Sequence, residues 1–130
     1  MTKYSPVDIG AVIPNKSRYL DKIEDNGDLL DIFISMDDGT RIRVKCDSYL
    51  LYMRRDEGDA LRTVSSIAKD ASFEALVFLA DRSSLLSWLM DECEGIRKPD
   101  KLKHFIVACA DDVVDIISVD DLVVEVYRSS

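Results

Sequence analysis

The segment from residue 30 to residue 46 constrains the fold more than any other part of the chain. Its apolar residues fall on every second position, which is the period of a strand with one buried face. Three polar or small residues interrupt this alternation once. The pattern therefore predicts two strands that face one core and are joined by a short turn, with apolar residues at Leu30, Ile32, Ile34, Met36, Ile42, Val44 and Cys46.

The interruption, Asp37-Asp38-Gly39, determines how the two strands pair. A two-residue loop at Asp38-Gly39 would place the two apolar series on opposite faces of the hairpin. A three-residue loop instead pairs Ile34 with Ile42, and it favours glycine at its last position in the left-handed conformation. We therefore predict a three-residue hairpin loop with Gly39 at a positive φ.

Helical spacing of apolar residues predicts up to three helices. The first is a short helix over residues 15–24, and the second runs from about residue 56 to 69 with Asp56 as its N-cap. The third begins at Ser83 or Ser84. Its apolar stripe is predicted to face the core and to consist of Leu85, Trp88, Leu89 and Cys93.

Strand-like runs account for most of the remaining sequence. Residues 73–80 form a short apolar run bounded by polar residues. The parity of the alternation flips after residue 46, which predicts a bulge or a short break at Asp47-Ser48. A run that is apolar on both faces, such as residues 105–108, indicates an interior strand covered by helices. Three β-rich runs close the chain, at residues 103–109, 113–117 and 122–127.

Together these elements predict an α+β fold. The expected architecture is a largely antiparallel sheet of about five to six strands with two or three helices packed on it. No internal repeat, low-complexity tract or Gly/Ser-rich linker divides the 130 residues. Residues 1–130 are therefore predicted to form a single domain.

The charge balance restricts the partners of this chain. It carries 17 Lys and Arg against 25 Asp and Glu, a net charge of −8. Such a field repels nucleic acid and speeds encounter with a basic partner. No stretch approaches the roughly 18 apolar residues that span a bilayer, and the N-terminus lacks the apolar run of a signal peptide. These features predict a cytoplasmic protein that contacts neither nucleic acid nor membrane directly.

Reactive side chains are few and lack the spacing of known sites. The cysteines, Cys46, Cys93 and Cys109, show no CxxC spacing and fall on apolar-patterned positions, and His104 is the sole histidine. A Cys/His nucleophilic pair would need an activated thiol, and a zinc site would need paired ligands. We therefore expect no enzymatic activity, no metal and no cofactor, and a role for His104 at a strand edge or in a polar anchor.

Four acidic pairs lie at turns or at a helix end. Adjacent aspartates commonly form turns and stay solvated. The other interpretation is an acidic rim that meets a basic partner. The candidate partner-binding residues are Asp37, Asp38, Asp91, Glu92, Asp111, Asp112, Asp120 and Asp121.

Several segments carry a family resemblance, which covers roughly residues 42–118. They are residues 84–95 (SLLSWLMDECEG), residues 103–107 (KHFIV) and residues 112–118 (DVVDIIS), preceded by Tyr49 and by Arg54-x-Asp56-Glu57. Together they resemble small bacterial immunity proteins of contact-dependent inhibition and related polymorphic-toxin systems. The sequence departs from that pattern at residues 119–121, where a proline-containing ending is expected, and residues 1–41 match no motif of the family.

The resemblance implies a cytoplasmic immunity protein that binds one cognate toxin, often a nuclease, and blocks its active site or substrate groove. The alternative is another acidic inhibitor, such as a phage-derived mimic of nucleic acid. A third hypothesis is a small enzyme that uses His104 and a cysteine. A mimic requires carboxylates arrayed along one face, so the placement of the acidic pairs separates the first two hypotheses.

Overall fold

The computed structural model describes residues 2–14, 16–71 and 74–128. Within these ranges, nine strands form two antiparallel sheets and are joined by two α-helices and two short 3-10 turns. In chain order the main elements are β1 (Lys3–Pro6), β2 (Arg18–Asp25), β3 (Leu30–Met36), β4 (Thr40–Cys46), β5 (Tyr49–Asp56), α1 (Leu61–Asp70), β6 (Val77–Asp81), α2 (Ser84–Glu92), β7 (Lys103–Ala108), β8 (Asp112–Ser118) and β9 (Val123–Arg128).

The fold is α+β, but its strands divide into two sheets where one was expected. The first sheet has five strands in the order β1-β6-β7-β8-β5, and the second has four in the order β2-β3-β4-β9. The parity flip at Asp47-Ser48 marks the point where the chain passes from one sheet to the other. At this turn the chain leaves the four-stranded sheet after β4 and enters the five-stranded sheet as β5. The break is therefore a crossing between layers.

The predicted hairpin is confirmed in both register and turn. β3 pairs with β4 so that Ile34 lies opposite Ile42 and Ile32 opposite Val44. Gly39 has a φ of 91°, the left-handed value that the three-residue loop requires. The apolar face of this hairpin packs on one face of the five-stranded sheet and forms the larger hydrophobic core.

The five-stranded sheet is the middle of three layers. One of its faces packs on the four-stranded sheet, and the other packs on α1 through a smaller core that includes Ile67, Phe78 and Ile106. Every residue of β8 is buried for this reason. The interior strand was predicted at residues 105–108, which belong to β7. This strand lies between β6 and β8 and is buried at residues 104–107, so the prediction is confirmed, although one of its two covers is a sheet.

The helix predicted over residues 15–24 is wrong, since residues 18–24 belong to strand β2. Leu20 and Ile23 both pack against the core, three residues apart. A register shift between Leu20 and Lys22 accounts for this spacing, because a bulge adds one residue to the strand alternation. The bulge therefore gives the apolar residues of a strand the three-residue spacing that is typical of a helix. Asn15 lies outside the described residues.

The later elements are close to their predicted positions. Asp56 accepts a hydrogen bond from the Gly58 amide at 2.8 Å, but it caps a 3-10 turn that precedes α1. The strand expected at residues 73–80 is β6, which occupies Val77–Asp81, and Phe73 lies outside the described residues. The three closing strands are confirmed as β7, β8 and β9, and β9 joins the four-stranded sheet.

Candidate protein-binding surface

Helix α2 begins at Ser83, one of the two predicted N-caps. The Ser83 hydroxyl oxygen accepts a hydrogen bond from the Leu86 amide at 3.0 Å. The helix has no fully buried residue. Its inward side is half-buried and consists of Leu85, Leu86, Leu89 and Met90.

Trp88 lies on the opposite side of α2 and is 51% exposed, so its predicted place in the core is wrong. The spacing of Leu85, Trp88 and Leu89 fits a helical stripe, but Leu86 and Met90 extend the apolar surface of α2 away from Trp88. The half-buried side is centred on the three leucines and Met90, which leaves the indole in solvent. A large aromatic side chain in this position is the informative departure from ordinary burial.

Two of the predicted partner-binding residues share the outer side of α2 with Trp88. Asp91 and Glu92 follow it by three and four residues, a spacing that makes helix side chains neighbours, and both are exposed. The arrangement places one aromatic ring next to two carboxylates. We call Trp88, Asp91 and Glu92 the α2 surface.

A buried hydrogen-bond network of three side chains connects the start of α2 to the five-stranded sheet. The Ser83 hydroxyl lies 2.6 Å from His104 Nδ1, and His104 Nε2 lies 2.8 Å from Asp115 Oδ1. The three residues are 4%, 5% and 2% exposed. His104 and Asp115 occupy the helix-facing side of β7 and β8, because they share strand parity with Ile106 and Val113 of the smaller core.

Arg55 of β5 completes this hydrogen-bond network. Its guanidinium donates to Asp115 Oδ2 at 2.8 Å and to Thr63 of α1 at 3.2 Å. Asp115 therefore accepts from two directions, and we assign the imidazole proton to Nε2, which donates to Asp115. Nδ1 then accepts the Ser83 hydroxyl proton, while Ser83 accepts from the Leu86 amide. Of the two roles predicted for His104, the polar anchor agrees with these contacts.

The acidic pairs of the two hairpin turns lie at one end of the molecule. The Ala110 amide donates to the Arg18 carbonyl at 2.7 Å, and Arg18 pairs with Met36 beside the β3–β4 turn. Asp37, Asp38 and Asp111 are exposed in this region. The Thr40 amide donates a hydrogen bond to the Asp38 carboxylate, and this bond lowers the pKa of Asp38. Asp112 is 8% exposed and forms an ion pair with Arg54 at 2.9 Å.

The remaining pair lies at the other end. The Asp120 amide donates to Ser48 Oγ at 2.8 Å, in the turn where the chain crosses between the sheets. Asp121 forms an ion pair with Lys103. The four acidic pairs thus occupy separate regions: one end, the opposite end, and α2. Such a distribution does not form the single array that a nucleic-acid mimic requires.

The open face of the four-stranded sheet is the other extended surface. Its charges largely pair with one another, since Arg43 bonds both oxygens of Asp31 at 2.8 and 2.9 Å and Lys45 contacts Glu125. Arg43 also stacks over Phe33, 5.5 Å from the ring centre. These cations are already engaged within the chain, whereas the carboxylates of the α2 surface adjoin an exposed aromatic ring.

The cysteines do not adjoin the histidine in a nucleophilic pair. Both ring nitrogens of His104 contact Ser83 and Asp115. Burial raises the pKa of the Cys46 thiol, and it raises the pKa of Cys109 to about 12, so these two sulfurs are protonated thiols at neutral pH. Across the ranges that the structure describes, no group of three or more potential ligands could hold a metal ion.

The hydrogen-bond network of Ser83, His104 and Asp115 was not predicted from the sequence. Its members come from three elements, and the partners predicted for His104 were cysteines. One signal was present: Asp115 interrupts the apolar run of residues 113–117, and a charged residue in a buried strand needs a partner. The neighbouring strand β7 carries the sole histidine.

Comparisons with known proteins gave no relative. No family model matches the chain, and no curated protein or solved structure matches it significantly. No helix in the described ranges combines the length and apolarity needed to cross a bilayer.

Proposed function

We propose that this chain is a cytoplasmic immunity protein that binds and neutralises a cognate toxin. In this proposal it covers the toxin's active site or substrate groove and inhibits by stoichiometric binding, without a catalytic step of its own. The toxin is a basic protein, and a nuclease-type effector fits best because enzymes that hold phosphate backbones carry basic surfaces. The sequence resemblance over residues 42–118 supports the class of protein.

One observation carries the proposal of protein binding: Trp88 is 51% exposed on the same helix side as Asp91 and Glu92. Binding hot spots are enriched in tryptophan and need a large side chain that loses its water on binding. The adjacent carboxylates, in a chain with a net charge of −8, favour a partner with Lys or Arg around an apolar pocket.

The first test is binding between this chain and the toxin domain encoded beside it. Co-expression should protect cells from the toxin, and the purified pair should co-elute with an association rate that falls as salt rises. Absence of both protection and co-elution with the neighbouring gene product would refute the immunity function.

The second test locates the surface. Trp88→Ala should weaken the measured Kd by about 30-fold or more, the loss expected for a hot spot of at least 2 kcal/mol. The matched control is Leu61→Ala, which shortens an apolar side chain that is 63% exposed on α1. Equal Kd values for the two variants would show that the α2 surface is not the binding site.

The third test separates charge from shape. The double variant Asp91→Asn/Glu92→Gln should slow association at low salt by about tenfold and leave dissociation nearly unchanged. Asp59→Asn, an exposed acid outside the α2 surface, serves as the charge control. A loss confined to dissociation would mean that these carboxylates make direct contacts and do not steer the encounter.

A further inference from the structure

The buried hydrogen-bond network of Ser83, His104 and Asp115 at the start of α2 has the composition and geometry of a nucleophilic site. We propose that Ser83, His104 and Asp115 hydrolyse small acyl esters, with Ser83 as nucleophile, His104 as general base and Asp115 as the group that orients the imidazole. This activity goes beyond the proposed toxin binding and does not depend on it, because the α2 surface lies on the outer side of the helix.

The contacts give each residue a role. Ser83 Oγ is 2.6 Å from His104 Nδ1, within reach for proton transfer, and His104 Nε2 is 2.8 Å from Asp115 Oδ1. Asp115 is itself held by Arg55 at 2.8 Å. The proton on Nε2 leaves the Nδ1 lone pair aimed at the serine, so the nucleophile, base and orienting group follow in sequence.

The local backbone also suits a nucleophile. Strand β6 ends at Asp81 and α2 begins at Ser84, so Ser83 stands on a sharp strand-to-helix turn. Arg82 occupies this turn with a φ of 56°, a strained value for a residue with a side chain. Strained strand-to-helix turns present nucleophilic serines in other hydrolases. The amides of Ser84 and Leu85, in the first turn of α2, have no acceptor within the helix and are suited to stabilise an oxyanion.

A cavity of about 250 Å³ adjoins the three side chains. It is smaller than the roughly 300 Å³ at which pockets for drug-sized ligands begin. Met53 and Leu85 supply apolar wall, and Tyr4 and Thr63 supply hydroxyl groups. Ser83 and His104 also line a second cleft beside α2, which offers room for a leaving group. The fit is to an ester with a short acyl chain.

The reaction balances with water as the only co-substrate. Ser83 Oγ forms a bond to the ester carbonyl carbon while its proton moves to His104 Nδ1. The carbon–oxygen bond to the leaving alkoxide breaks, and the alkoxide takes that proton and departs as an alcohol. Water then attacks the acyl-serine, gives a proton to Nδ1, and the carboxylic acid leaves as the proton returns to Ser83 Oγ.

The wild-type chain provides the primary test. Incubation with an alkyl fluorophosphonate should add one phosphonyl group, located by peptide mass spectrometry at Ser83, and p-nitrophenyl butyrate should be hydrolysed catalytically. Failure to find an adduct at Ser83, together with hydrolysis no faster than in buffer, would overturn the proposal and leave these residues as a structural anchor.

Variants distinguish catalysis from a merely structural role. Ser83→Ala should abolish labelling, and His104→Gln should slow it by about 10²- to 10⁴-fold, while both variants retain the far-ultraviolet circular dichroism of the folded chain. The matched control is Ser65→Ala, an exposed serine of α1, which should label like the wild type. Labelling that persists in Ser83→Ala would overturn the assignment, and wild-type activity in a chain that binds no toxin would leave it standing.

Discussion

The two helices are attached to the five-stranded sheet in different ways. α1 is held by apolar burial, since Ile67 is fully buried against Phe78 and Ile106. α2 buries no residue completely and is anchored at its first turn by Ser83, through His104 and Asp115. Apolar burial uses up the packing face of a helix, whereas an anchor at one end leaves the outer side available. The difference is compatible with the proposed function, in which α1 stabilises the fold and α2 contacts the partner.

The largest expected effect breaks the anchor of α2. Asp115→Ala removes the shared acceptor of Arg55 and His104, and it leaves the buried Nε2–H of His104 without a hydrogen-bond partner. The free energy of unfolding should fall by about 3–5 kcal/mol, measured by urea denaturation. If the loss is below about 1 kcal/mol, α2 is held mainly by its half-buried apolar residues and the contrast between the helices disappears.

The next effect tests the attachment of α1. Ile67→Ala deletes a fully buried side chain from the smaller core and should cost about 2–5 kcal/mol in the same denaturation experiment. The larger core, on the opposite face of the five-stranded sheet, should be undisturbed. Amide exchange in the β3–β4 hairpin should therefore quicken only as much as the loss of global stability requires. Selective loss of protection in that hairpin would contradict the layered description.

A smaller effect isolates the cap from the rest of the anchor. Ser83→Ala removes the hydroxyl that accepts from the Leu86 amide and contacts His104, and it should cost about 0.5–2 kcal/mol. Ser84→Ala, one residue later and exposed, is the control and should be nearly neutral. Equal losses in the two variants would mean that Ser83 does not act as the cap.

The smallest expected effect on stability is that of replacing Trp88 on the exposed side of α2. Trp88→Ala should change the free energy of unfolding by no more than about 0.5 kcal/mol, because the indole is half in solvent. Near-ultraviolet circular dichroism and urea denaturation provide the comparison with Ile67→Ala. A loss of several kcal/mol would show that Trp88 is a packing residue after all.

Chemical reactivity gives a prediction outside the helices. Burial raises the pKa of Cys109 from 9.0 to about 12, so its thiolate fraction at pH 8 falls by about 10³-fold. Iodoacetamide should therefore modify Cys109 about a thousandfold more slowly than it does in the urea-unfolded chain. The folded state also loses stability as pH rises from 9 toward 12, because the unfolded thiol ionises first.

The parts of the fold that could be predicted were those encoded by neighbouring residues. The β3–β4 register followed from two apolar series and one glycine, and the residue type at the helix start narrowed the N-cap of α2 to Ser83 or Ser84. The β2 strand was missed because the bulge between Leu20 and Lys22 changes the spacing of its apolar residues. A local pattern cannot reveal which strand lies opposite and absorbs the extra residue.

The site was less predictable than the fold for the same reason. Asp91 and Glu92 were identified as candidates, but the exposure of Trp88 depends on which side of a helix with several apolar residues the rest of the protein covers. The contact between Ser83 and His104 joins residues 21 positions apart, and its meaning depends on the burial of Asp115. Such information resides in tertiary packing and not in the spacing of one segment.

The pairing of β1 with β6 has a consequence for the order of folding. Lys3 lies opposite Asp81 and Pro6 opposite Phe78, whereas the β3–β4 hairpin closes within its own segment. Local hairpins form early, and contacts between distant residues form late. During synthesis, β1 must therefore wait until β6 has left the ribosome, and residues 2–14 remain open to capture by chaperones throughout that interval.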